Sequence, residues 1–122
     1  MEYWFLLAAA AVSFVGALFH GVVGGRIYMG NINASSLEPL TRSLSLVSWH
    51  MFTIFLAVGA AALVYVAYVP AASLLAYPII VINGFGALMF IGLGVGAHGQ
   101  LLKMPGAYLM GATAVLGSLG VS

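Results

Sequence analysis

The stretch Ser48–Tyr68, SWHMFTIFLAVGAAALVYVAY, decides the fold. It contains no Asp, Glu, Lys or Arg, and its one imidazole, His50, follows directly on Trp49. About 20 apolar residues in a helix, at 1.5 Å each, cover the ~30 Å hydrocarbon core of a bilayer. A strand reading fails, because barrel strands alternate apolar and polar residues over runs of about ten. Backbone groups in lipid must be paired within the segment, so the stretch is expected to be a transmembrane helix.

The same texture recurs along the chain. Apolar runs cover about 3–25, 44–68, 74–97 and 105–121, with breaks at the Arg26–Ser43 loop, the Pro70 turn and the His98–Met104 loop. Of the 122 residues, 64% are hydrophobic and 4% are charged, where a soluble domain carries about a quarter charged. Glu2, Arg26, Glu38, Arg42 and Lys103 are too few to cover a water-facing surface. The expected fold is all-α: a polytopic membrane protein, a four-transmembrane-helix bundle, with 1–122 as a single membrane domain. The first run lacks the basic start of a secretory signal and exceeds its apolar core, so it is read as a retained span. Pro105 suits the first turn of the last helix.

In the first loop, SSLEPLTRS (residues 35–43) offers a capping box, with Ser35 as cap and Glu38 three residues later. The helix carrying His50 is therefore expected to start near Ser36 and to follow the interface over about 36–43. Arg26, Arg42 and Lys103 all fall on the side opposite the termini, which predicts that both termini lie outside. Tyr3, Trp4, Tyr65 and Tyr68 then form an outer aromatic belt, and Tyr28, Trp49 and Tyr108 an inner one.

Small residues recur at helical spacing: Ala9, Ser13, Ala17, Gly21 and Gly25 on the first helix, and Thr53, Ala57 and Ala61 on the second. Gly92 and Gly96 repeat the pattern on the third, and Ala107 and Gly111 on the fourth. Such stripes let helix backbones approach closely in lipid, within the bundle or, at Gly92 and Gly96, between subunits of a homo-oligomer. Asn83, in the middle of the third run, is expected to hydrogen-bond across helices.

Three histidines mark the candidate site. His20 lies six residues before Arg26, about 9 Å along the axis, and His50 eight residues after Arg42, about 12 Å. Antiparallel helices would bring both to a similar depth, facing each other, with His98 peripheral at the end of the third run. Ionisable groups in spans are costly and mark candidate functional sites. A neutral imidazole reduces that cost and either hydrogen-bonds a neighbour or ligates a group. The two readings stand side by side for each histidine. His20 and His50 could hold haem b axially, and with His98 a divalent metal such as zinc or copper.

Several functions are excluded. With no cysteine there is no thiolate metal site or disulfide. No carboxylate lies within a span, so neither a carboxylate-rich dimetal site nor a transporter built on a membrane Asp or Glu fits. A net charge of +1 with no basic block gives nucleic acid no surface. No catalytic motif is present, and the chain is not expected to be an enzyme.

FHGVVGGRIY (residues 19–28) followed by SLVSWHMFT (residues 45–53) resembles a family of small bacterial inner-membrane proteins with four spans. In that pattern a histidine and Gly-Arg end the first span and Trp-His opens the second, here His20, Gly25, Arg26, Trp49 and His50. The resemblance covers roughly the first 60 residues, implies a multi-pass bacterial inner-membrane protein, and supplies no reaction. The last part, GQLLKMPGAYLMGATAVLGSLGV, is similar in texture to the final helix of small multidrug-resistance transporters, but the first helix lacks their membrane glutamate. The expected function is an accessory subunit or oligomer with a histidine-lined metal or haem site. The alternatives are a small oligomeric transporter or channel, and a structural subunit of a larger membrane complex.

Overall fold

The computed structural model describes residues 2–122. In order it has α1 (Tyr3–Leu18), a π-helical turn (Phe19–Gly24), α2 (Gly25–Asn33), α3 (Pro39–Tyr68), a 3-10 helix (Pro70–Leu75), α4 (Ala76–Val95), a second 3-10 helix (Gly99–Lys103) and α5 (Gly106–Val121), with no strand among the described residues. The helices Tyr3–Asn33, Pro39–Tyr68 and Pro70–Val95 are long and apolar enough to cross a membrane, while Gly106–Val121 is apolar but shorter.

Two boundaries differ most from those expected. The first helix does not stop at Gly25 but continues through α2 to Asn33, so the loop shrinks to a few residues. α2 stays helical because it packs along α3, with Tyr28 against Trp49 and Arg42 donating to the Asn33 carbonyl at 3.3 Å. The capping box does not form either. α3 starts at Pro39 behind Glu38, which is extended (ψ 150) and makes no side-chain cap. Proline disfavours helix in the residue before it and fits the first helical position, so Pro39 sets the start. Ser35 instead serves the end of α2, donating to the Ile32 carbonyl at 2.5 Å and accepting from the Leu37 N–H at 3.4 Å. The remaining expected bounds, 74–97 and 105–121, shorten to Ala76–Val95 and Gly106–Val121.

α1 packs along both α3 and α5, and α4 packs along α5, whereas α3 and α4 meet only briefly. That brief meeting lies near the end holding both termini. There Leu6, Ala9 and Ala10 of α1 join Leu63, Val66 and Ala67 of α3 and Ala76 and Ile79 of α4 in one buried cluster. Tyr3 and Tyr68 share a hydroxyl hydrogen bond of 2.8 Å, and the Glu2 N–H donates to the Gly120 carbonyl at 2.8 Å. The buried face of α3 is Leu56, Ala60, Leu63 and Ala67, at spacings of four, three and four. Ala57 and Ala61, expected to pack, are exposed, because Leu56 and Leu63 fill the groove beside α1 with larger side chains.

Gly120 shows how tight the terminal end is: a Cβ there would lie 2.6 Å from Leu6 Cγ and 3.0 Å from the Leu6 backbone nitrogen. At Gly92 nothing lies within 4 Å, so this face is left uncovered within the chain. Gly120→Ala is expected to destabilise the bundle by about 1–3 kcal/mol through overpacking, read as thermal unfolding in detergent. Gly92→Ala is expected to leave the unfolding temperature unchanged or slightly raised, since a methyl meets nothing and alanine favours helix.

Candidate functional site

Between the α1–α3 pair and the α4–α5 pair, the two hairpins of the bundle, lies a partly open cavity of about 550 Å³, away from the termini. α1 and α5 form its back, and it faces the gap where α3 and α4 no longer touch. Its wall is almost entirely apolar, with Phe19, Phe52, Phe85 and Phe90 among its aromatics and Met89, Met104 and Met110 among its flexible side chains. Glycines explain why the hairpins close while the gap stays open. Gly21 lets Thr53 against α1, where a Cβ would sit 2.8 Å from Thr53 Cγ2, and Gly86 lets Met110 of α5 against α4. Between α3 and α4 the comparable approach is Gly59 to Ile79, at the terminal end.

His20 is the one histidine in the wall. It sits in the π-helical turn, where the Gly25 N–H reaches the His20 carbonyl five residues back. The same carbonyl accepts the Trp49 indole N–H at 2.9 Å. The Trp49 ring lies flat on the His20 imidazole, with centroids 4.0 Å apart and planes 12° apart, and Tyr28 stacks on its other side at 4.3 Å. Phe52 meets the imidazole edge-on at 5.2 Å. Gly24 makes room for this stack: a Cβ there would lie 2.9 Å from Trp49 Cζ2.

The imidazole is also fixed in its plane, with His20 Nδ1 2.8 Å from Thr53 Oγ1. The Thr53 hydroxyl in turn reaches the Trp49 carbonyl at 3.5 Å. One proton arrangement serves both contacts: Thr53 donates to the carbonyl and accepts from Nδ1–H. Nε2 then keeps its lone pair.

The other two histidines lie outside the cavity wall. His50 does not line the cavity but stays near His20: its Cε1 and the His20 carbonyl oxygen each lie 3.6 Å from where a Cβ on Gly25 would be. His98 is exposed in the turn after α4. Among the described residues no group of three His, Asp or Glu side chains comes together. Asn83 does not bond across helices as expected: its Nδ2 donates to the Ile79 carbonyl of its own helix at 2.9 Å. Gly21, in the π-helical turn, and Gly25, at the start of α2, lie against α3, whereas Gly96 meets only carbonyls of the last turn of α4.

Sequence reasoning placed Trp49 in an aromatic belt and overlooked the π-helical turn. The signal was present in His20-Gly21-Val22-Val23-Gly24-Gly25, three glycines in six residues of a span with a histidine at their head. Compared with protein-family models, with curated proteins and with solved structures, the chain finds no match in any of the three.

Thr53 is the hinge of this arrangement. Thr53→Val removes the hydroxyl while keeping the shape, so the part-buried Nδ1 loses its partner and the ring shifts tautomer, at a cost of about 1 kcal/mol for the lost hydrogen bond. Thermal unfolding is expected to shift down for Thr53→Val and to stay near the parent value for Thr53→Ser, which retains the hydroxyl.

Proposed function

We propose that the chain is an integral protein of the bacterial inner membrane that crosses it four times, with both termini outside. Its cavity binds a flat, largely apolar small molecule drawn from the bilayer, anchored by His20. The membrane reading is supported by the three helices of crossing length. It is also supported by the many large apolar side chains turned outward all round the bundle, among them Phe14, Leu88 and Val95, a surface that water does not favour. α5, at about 24 Å, spans with local thinning of the bilayer. Arg26, Arg42 and Lys103 lie at the end opposite the termini, which the positive-inside rule assigns to the cytoplasm.

The observation that carries the ligand reading is His20 in the wall of the cavity, held by Thr53 and Trp49. Ligand sites are typically concave and about 300–1,000 Å³, lined by apolar side chains with a few fixed polar groups. A side chain held on one face by a stacked ring and on one nitrogen by a hydroxyl is preorganised, so little entropy is lost when Nε2 engages an occupant.

A second reading, haem b or a divalent metal, is favoured by the same fixation, since a ligating imidazole commonly donates its other N–H to a neighbour. The thioethers of Met89, Met104 and Met110 offer the cavity's further soft donors. In this reading His20 ligates with a methionine, not with His50. Either way the protein serves as an accessory subunit or homo-oligomer that carries a bound molecule.

The test is purification from native membranes in mild detergent, followed by absorption spectroscopy, metal analysis and mass spectrometry of the extract. The expected result is a stoichiometric small molecule that is lost in His20→Ala and retained in His50→Ala. A Soret band that follows the same pattern selects the haem reading. A preparation with nothing bound, or one indifferent to His20→Ala, contradicts the proposal.

A further inference from the structure

We propose that the cavity selects a membrane-soluble amphiphile bearing a hydroxyl or N–H donor, and that Asn83 Oδ1 accepts that proton. This rests on the reading of the cavity as a ligand site and names the chemistry of its ligand.

Among the described residues, Asn83 Oδ1 is the buried side-chain polar atom left without a hydrogen-bond partner. Asn83 is 1% exposed and belongs to the cavity wall. Its amide orientation is set by Nδ2, which donates to the Ile79 carbonyl, so the oxygen is the end left over. An acceptor enclosed by apolar side chains gives up water without recompense unless something donates to it.

The other polar side chains of the wall at this level have already used their protons. Ser13 Oγ donates to the Leu56 carbonyl at 2.9 Å, and Thr113 Oγ1 to the Leu109 carbonyl at 2.9 Å. What remains here is acceptors only: the Asn83 oxygen and hydroxyl lone pairs. The complement of such acceptors is a donor. An ether, a ketone or a plain hydrocarbon of the same shape leaves Asn83 unpaired, and a site built on a hydrogen bond rejects the analogue that lacks it.

The geometry also sizes the occupant. Ser13 lies seven residues before His20 on the first helix, about 10 Å along the axis. The donor group and the imidazole therefore engage opposite ends of an elongated molecule. Its middle faces phenylalanine, methionine and leucine and must be apolar. A hydroxylated ring with a hydrocarbon body meets each requirement, whereas a free ion or a sugar does not. The competing partner for Asn83 is a trapped water, which would satisfy the oxygen without any ligand.

The experiment uses the full chain in lipid nanodiscs with Trp4→Phe, so that Trp49 in the cavity wall is the one remaining indole. Two probes are titrated anaerobically against Trp49 emission: a benzoquinol bearing one isoprenyl chain, and its dimethyl ether. The quinol is expected to bind roughly ten-fold more tightly than the ether. Asn83→Leu is expected to weaken quinol binding by about that factor while leaving the ether unchanged, and unchanged ether binding shows that the cavity is intact. Asn83→Ala is measured beside it, and the same pattern must appear in whichever variant keeps ether binding. Equal affinity for the two probes, quinol binding indifferent to Asn83, or loss of ether binding in both variants overturns the inference. The first two of these outcomes leave the ligand reading intact. Binding of neither probe overturns both.

Discussion

The hydrogen bond from the Trp49 indole to the backbone carbonyl of His20 ties the middle of one helix to another, and the site follows from it. A carbonyl inside a regular helix is engaged by the N–H four residues on. At His20 the register slips to Gly25, and the indole takes up capacity of the same oxygen. The slip is local, so the helix continues to Asn33 instead of ending at the glycines. With Trp49 clamped in this way, its ring has one place to lie, between the imidazole of His20 and the phenol of Tyr28. Thr53, one turn along α3 from Trp49, then meets Nδ1. Tyr28 of the first helix and Trp49, Phe52 and Thr53 of α3 thus fix one imidazole without a single charged partner.

That fixation is placed where the bundle is least filled. Each hairpin is closed by glycines opposite bulky side chains, Gly24 under Trp49 in one and Gly106 under Phe90 in the other. The hairpins join along α1 and α5 over their length, and through α3 and α4 only at the terminal end. The result is a wedge-shaped opening with polar groups at two levels: His20 toward the cytoplasmic end in the proposed orientation, and Ser13, Asn83 and Thr113 deeper in. Methionines in the wall let such a space adapt to an occupant, since their side chains are unbranched and flexible.

The number and position of the helices were legible in the sequence because a membrane-length apolar run has few other solutions. The boundaries were less so. Pro39 overrode the Ser35–Glu38 cap because a proline constrains the residue before it regardless of side-chain hydrogen bonding. Gly24 and Gly25 looked like a terminus, yet they serve as clearance for Trp49. His20 stood out as a site residue because an imidazole in a span is costly. The residues that touch its imidazole were not foreseen, since depth alone sets His20 beside His50, whereas the rotation of α3 about its axis brings Trp49 and Thr53 against the ring. The orphaned oxygen of Asn83 was beyond sequence reasoning, because a mid-span asparagine reads the same whether its bonds run across helices or back along its own.

The account turns on His20 being held through Nδ1 with Nε2 free toward the cavity. Nitrogen-15 NMR of labelled histidine, recorded in bilayers on a His50→Gln, His98→Gln variant, observes that ring alone. The account predicts a neutral imidazole protonated at Nδ1, with Nε2 unprotonated, and a change of tautomer in Thr53→Val. A ring protonated at Nε2, or a spectrum indifferent to Thr53→Val, would contradict it.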